Sequence, residues 1–265
     1  MVFHKPATIA KVAIESATTK VNANLPVTLM LGFLGGAFIS FGYLLDLRVV
    51  SGLPARWGSL SNLLGAAVFP SGLILVVLTG GELITGNMLS IAMALYAKQI
   101  TFKHLASNWM WVTFSNLLGA LFVAFVFGHI TGLTEQGPYL EKTISFASDK
   151  IHHSFFQNFL SAIGCNWLVC IAIWLALGSE DIFGKIVAIW FPIFTFVAIG
   201  FQQVVANMFI ISAAIFAGHF SWLEFIQNII SVYLGNIVGG AVFVGFIYFK
   251  CFHVDHLKEK EMTQS

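Results

Sequence analysis

Apolar residues run through this chain in six blocks, near 27–45, 61–98, 105–133, 156–178, 185–216 and 223–250. A helix that crosses a bilayer needs about 20 predominantly apolar residues, so each block predicts a transmembrane span. The second and fifth blocks are too long for one crossing, and both carry polar residues and glycine in the middle. Each is therefore predicted to be two half-helices joined by a short non-helical loop. Such a loop survives at membrane depth only where it is buried in protein or lines a cavity. Pro70 and Pro192 fall in the first halves of these two blocks, where neighbouring helices can accommodate a kink.

The two interruptions match each other. Gly80-Gly81-Glu82-Leu83-Ile84-Thr85-Gly86-Asn87-Met88 lies 120 positions before Gly200-Phe201-Gln202-Gln203-Val204-Val205-Ala206-Asn207-Met208. The same offset carries Asn108 to Asn228, and Asn116-Leu117-Leu118-Gly119 to Asn236-Ile237-Val238-Gly239. An ungapped offset shared by three segments indicates two homologous halves. The first and fourth spans do not align at that offset, which implies a difference in loop length. With three spans per half, the second half is upside down relative to the first. Paired broken helices in an inverted repeat point to a permeation or binding site at the repeat interface.

Composition agrees with the pattern. Of 265 residues, 58% are hydrophobic and 9% are charged. A soluble domain carries roughly 25% charged residues, so the chain reads as an all-α polytopic membrane protein. A net charge of +1 argues against a nucleic-acid partner. Cys165, Cys170 and Cys251 have neither disulfide nor metal-ligand spacing, and no cofactor or metal is expected. No nucleophile–base pair stands out, so an enzyme is not expected. The segment before the first span, with Lys5, Lys11, Glu15 and Lys20, shows no signal peptide and is expected to lie at the cytoplasmic surface. With the N-terminus inside, Lys5, Lys11, Lys20, Lys98, Lys103, Lys185, Lys250, Lys258 and Lys260 face the cytoplasm. Arg48, Arg56, Lys142 and Lys150 face outward. That bias places both termini in the cytoplasm of a cell-membrane protein. The expected organisation is a cytoplasmic segment 1–25, a first half 26–134, an extracytoplasmic linker 135–155, a second half 156–250 and a cytoplasmic tail 251–265.

Among polar residues, Lys150 stands just before the fourth span, where a cation raises the local concentration of anions. Asn166 is expected about four helical turns deeper on the same span, at 3.6 residues per turn, offering hydrogen bonds without charge. Glu82 is an intramembrane carboxylate, but its expected task is to pair backbone N–H groups freed by the helix break. His152 and His153 are adjacent and point about 100° apart on a helix, so a shared metal is not expected. Gly32, Gly35 and Gly36 on the first span, and Gly235, Gly239 and Gly240 on the sixth, permit close helix contacts.

Lys150-Ile151-His152-His153-Ser154-Phe155, Cys165-Asn166-Trp167-Leu168-Val169-Cys170 and Gly200-Phe201 followed by Ala206-Asn207-Met208-Phe209 resemble the formate/nitrite transporter family. The likeness extends from about residue 3 to residue 250. It implies a homopentamer of aquaporin-like protomers in the lipid bilayer, each with its own pore for a small monovalent anion. It also implies a pathway through Lys150, Asn166, Thr85, Gln203 and Asn207. Phe69, Leu73 and Phe196 match the family's inner constriction, and Leu83 with Ile84 match the outer one beside Gln203. Gln202-Gln203 depart from the family's usual Glu-His. Glutamine does not titrate, whereas histidine titrates around neutral pH. A side-chain proton relay is then not expected at this position, and a proton could still arrive with the substrate as the neutral acid, from vestibule water.

The amides of Gln203 and Asn166 and the hydroxyl of Thr85 suit a carboxylate, so formate is the expected substrate. Nitrite, hydrosulfide or a short monocarboxylate are the alternatives within the family. Outside it, an aquaporin-like channel for a neutral solute would show Asn-Pro-Ala loops, and neither break contains the proline. A structural membrane subunit would need no paired polar breaks.

Overall fold

A computed structural model describes residues 3–253, apart from the side chains of Ala55 and His253. The expected tail 251–265 lies outside the described residues from 254 onward. The first half comprises α1 (Pro6–Asn22), α2 (Leu25–Val50), α3 (Ser59–Val68), α4 (Ser71–Thr79), α5 (Ile84–Tyr96) and α6 (Phe102–Phe122). The second comprises α7 (Pro138–Ile151), α8 (Phe155–Gly178), α9 (Ile182–Ile199), α10 (Val204–Phe216) and α11 (Trp222–Ile237). Both α6 and α11 continue as wide π turns, Val123–Ile130 and Val238–Phe246. Six helical segments are long and apolar enough to cross a membrane, and α5 and α10 are shorter apolar helices. The chain is a multi-pass membrane protein built from two inverted three-span halves.

The helix starts follow from local chemistry. Asn24 accepts from the Val27 N–H at the head of α2, and Pro26 occupies the first turn, where its missing N–H costs nothing. Ser154 and Gln157 form a reciprocal capping box at the head of α8, as do Ser221 and Glu224 at α11.

The breaks end their half-helices in the same way. Gly80 and Gly200 adopt the left-handed conformation, φ 79° and 89°. Glycine does so without the steric penalty a Cβ would bring. The next N–H then turns back, from Gly81 to the Val76 carbonyl and from Phe201 to the Phe196 carbonyl. This closes the carbonyl end of each half-helix.

The second span is more fragmented than expected. It breaks first at Phe69-Pro70, between α3 and α4, and again at residues 80–83. Pro192, by contrast, stays inside α9. The extra residues of the first half lie between its first and second spans. Asn116 bonds the Gly32 carbonyl and Asn236 bonds the Ala162 carbonyl, an offset of 130 instead of 120. The loop 51–58 has no equivalent between α8 and α9, which are separated by Ser179–Asp181 only.

The N-terminal segment packs one face on the protein: Ile9, Ala10, Ala13 and Ala17 are fully buried, packed with Leu89, Ile91 and Trp174. The glycines permit contacts within the protomer. A Cβ on Gly36 would lie 2.0 Å from the Asn116 carbonyl oxygen, and one on Gly235 would lie 2.2 Å from that of Phe159. These stripes are taken up by α2 against α6 and α11 against α8, so they are not free for a neighbouring subunit.

Candidate functional site

The loops at 80–83 and 200–203 are held by matched sets of asparagines. Asn116 accepts from the Ile84 N–H at 2.9 Å and donates to the carbonyls of Gly32 and Glu82 at 2.7 and 2.8 Å. Asn236 accepts from the Val204 N–H at 3.0 Å and donates to the carbonyls of Ala162 and Gln202 at 2.8 and 3.2 Å. One buried side chain thus satisfies both ends of each break, where an unpaired backbone group would cost about 1–3 kcal/mol. Asn87 donates to Glu82 at 2.6 Å and to Asn108 at 3.0 Å. Asn207 does the same to Gln202 at 2.7 Å and Asn228 at 2.9 Å.

Glu82 does not pair freed backbone N–H groups, because Asn116 already does. Its carboxylate instead accepts from Asn87 and forms an ion pair with Lys20 at 3.0 Å. Lys20 also donates to Asn87 Oδ1 at 2.8 Å. Sequence reasoning missed Lys20, although it stands 130 positions before Lys150, the offset that relates α2 to α8.

Gln203 is the N-cap of α10. Its Oε1 accepts from the Ala206 N–H, while Nε2 donates to Thr85 Oγ1 at 3.2 Å. This amide therefore links the second break to the first. With its oxygen engaged by the helix, it has N–H groups to offer an anion.

Lys150 stands in the last turn of α7, just before the fourth span, which Ser154 starts as the separate helix α8. Its carbonyl accepts from Asn228 at 2.8 Å. It is half-buried, and burial holds its pKa below the ordinary lysine value, against the opposing charges of Asp149 and Asp46. It lines a cavity of about 410 Å³ with Tyr43, Asp46, Phe69, Phe196, Gln203 and Asn207. Phe69 and Phe196 meet edge to face, with ring centroids 5.8 Å apart, and Leu73 is buried in the same apolar core. Asn207 Oδ1 is buried without a hydrogen-bond partner among the described residues.

Asn166 lies deeper on α8, as expected, and is not among the residues that line the Lys150 cavity. It is fully buried and donates to the carbonyls of Asn236 at 2.7 Å and Thr85 at 3.3 Å, at the seam of the two halves. The two apolar levels stand the other way round with respect to Lys150 from what was expected. Phe69 and Phe196 border the Lys150 cavity, while Leu83 and Ile84 follow Glu82, the partner of Lys20. The reason is topological: the loop 51–58 that feeds α3 shares a face of the protein with α7. Leu53, Pro54 and Gly58 line one recess together with Pro138, Glu141 and Lys142.

Known proteins resemble the chain over nearly its whole length. The formate/nitrite transporter family model matches residues 7–250. The chain is 62% identical over 264 residues to the uncharacterized transporter YrhG of Bacillus subtilis, covering 100% of this chain and 99% of that protein. It is 60% identical over 260 residues to the formate channel BtFdhC of Bacillus thuringiensis, covering 98% and 100%. A solved structure described as a pentameric formate channel with formate bound superposes with a TM-score of 0.75 at 31% identity, covering 86% of this chain and 97% of that one. The chain belongs to the formate/nitrite transporter family.

Proposed function

We propose that the protein conducts formate across the cell membrane through one pore in each protomer of a homopentamer, with both termini on the cytoplasmic side. The observation that carries this reading is Gln203. Its N–H groups stand between the Phe69–Phe196 pair and Thr85, at the junction of the two breaks. A formate drawn in by Lys150 would lose water at the phenylalanine pair, a step costly for a bare anion. Gln203 Nε2 and Thr85 Oγ1 supply hydrogen bonds in its place. Where vestibule water has protonated the anion, the unpaired Asn207 Oδ1 can accept from the acid hydroxyl. The relatives named as formate channels support formate over nitrite. The excess of lysine on the N-terminal side supports the orientation.

The test is formate and nitrite flux into proteoliposomes, normalised to folded, reconstituted protein. Gln203→Leu should lower formate flux roughly tenfold or more, because a hydrogen bond to a charged group is worth about 1.5–3 kcal/mol. The normalisation removes the separate cost of the lost cap, about 1 kcal/mol. A well-folded Gln203→Leu protein that transports at the parental rate would refute the pathway. Parental flux of nitrite without formate would refute the substrate.

A further inference from the structure

Asp46 has no part in the pathway drawn above, yet it is the most deeply buried acidic residue on the Lys150 side. It stands near the end of α2, 5% exposed, and lines the same cavity as Lys150. Its carboxylate is wedged against α3, since a Cβ on Gly65 would lie 2.0 Å from Asp46 Oδ1. Among the described residues it makes no hydrogen bond and no ion pair within 4 Å. The contrast with Glu82, held by Lys20 and Asn87, is direct.

With no protein partner the carboxylate opens onto the cavity, where a half-enclosed charge is costly, and an ionisable residue at membrane depth is a functional candidate by default. The charged and titratable groups around Asp46 are few. Lys150 and Lys142 on α7 attract it, and Asp149 on α7, His153 and Tyr43 line the same cavity. From α3 the cavity receives Asn62, and from the second break Gln202, Gln203 and Asn207, none of which titrates. When ionised, Asp46 offsets the positive field of Lys150 in the cavity. When protonated, it leaves that field unopposed.

We propose that Asp46 is a proton-binding residue of the anion pathway, and that its protonation strengthens anion capture by Lys150. The inference rests on the reading of the Lys150 cavity as an anion entrance. The sign follows from charge alone: acid on the Lys150 side removes a negative charge from the entrance, and alkali restores it. A pH response at this entrance is thereby located at position 46, on the cavity that it shares with the non-titrating Gln203.

The experiment measures formate uptake by the full-length protein in proteoliposomes, buffered equally on both faces, and reads the half-saturating formate concentration. Between about pH 5 and pH 8 the parental value should rise by about threefold, the effect of one partly screened charge at close range. Asp46→Asn should hold the low value throughout, and Asp46→Glu should restore the dependence. Lys150→Ala should remove the dependence from the other direction, because no cation remains to be masked. A profile of Asp46→Asn that superimposes on the parental one would overturn the proposal. Infrared difference spectra over the same titration should show a carboxyl band that shifts in Asp46→Glu. Its absence would overturn the proposal without reference to flux. A folded parent that shows the band but passes no formate would overturn the entrance reading instead, leaving Asp46 a proton site without an anion to regulate.

Discussion

Around residues 80–83 and again around 200–203, one asparagine from the third span of the half pairs both ends of the break, and a second asparagine ties the loop to its neighbour helix. That framework is the same to within a few tenths of an ångström. The charges hung on it differ. The first break carries Glu82, closed by Lys20 at 3.0 Å, beside a recess of about 130 Å³. The second carries neutral Gln202, leaves Asn207 Oδ1 unpaired and opens on the cavity of about 410 Å³ that Lys150 lines. Position 83 is leucine where position 203 is glutamine. Satisfying the backbone at membrane depth is obligatory and is done identically twice. Charge is not fixed by that requirement, and the two mouths have diverged in it.

The largest test of this comparison makes the first break resemble the second. The Lys20 side chain is 26% exposed and that of Glu82 is 10% exposed, so Lys20→Met would leave a buried carboxylate without its cation. Removing one partner of a buried pair costs about 3 kcal/mol. Adding Glu82→Gln should recover most of that loss, since the pair Gln202–Asn207 shows that an amide is accommodated at the equivalent place. Denaturant unfolding of the purified protein in detergent checks both variants. If Lys20→Met were as stable as the parent, the ion pair would contribute nothing and the two breaks would be energetically alike.

Much of the framework was legible in the sequence, because Asn87, Asn116, Asn207 and Asn236 recur at a fixed offset inside apolar runs, where a polar side chain must have a partner. Lys20 was not legible in the same way. The loop 51–58 shifts the first span to an offset of 130, so Lys20 and Lys150 fell out of register and only one was recognised. Asn166 was legible as a polar residue deep on the fourth span, but its partners, the carbonyls of Asn236 and Thr85, were not, because they come from other elements. Phe69 and Phe196 were expected at the level away from Lys150, and the fold sets them on its cavity. Asp46 was passed over because one acidic residue near the end of a span resembles an interfacial anchor, and only the fold shows the cavity on which it borders.

A smaller effect separates the two lysines. Lys20 is neutralised by Glu82, whereas Lys150 has no ion pair among the described residues. Lys150→Ala should therefore slow formate entry from its side, by about threefold at 0.01 M salt, where the Debye length is about 30 Å. The difference should fade toward 1 M salt, where that length is about 3 Å. Flux from oriented vesicles across that range is the measurement. A loss independent of salt would mean that Lys150 holds α7 in place instead of attracting anions.

The smallest expected effect concerns position 203 itself. Gln203→His introduces a group with an unperturbed pKa of about 6.5, and burial would lower it. The residue is 3% exposed, touches Thr85 and the head of α10, and borders the cavity that Lys150 and Asp46 line. Above its pKa the neutral ring can replace the amide in accepting from the Ala206 N–H, so folding should change by less than about 1 kcal/mol. Below it the imidazolium can no longer accept, and a positive charge appears at the junction of the two breaks. Formate flux should then gain a pH step of its own. Asp46→Asn removes the parental step and leaves this one, so the double variant isolates it. If Gln203→His titrated no differently from the parent in that background, residue 203 would face away from the permeating anion, and the contrast with Leu83 would be one of helix capping alone.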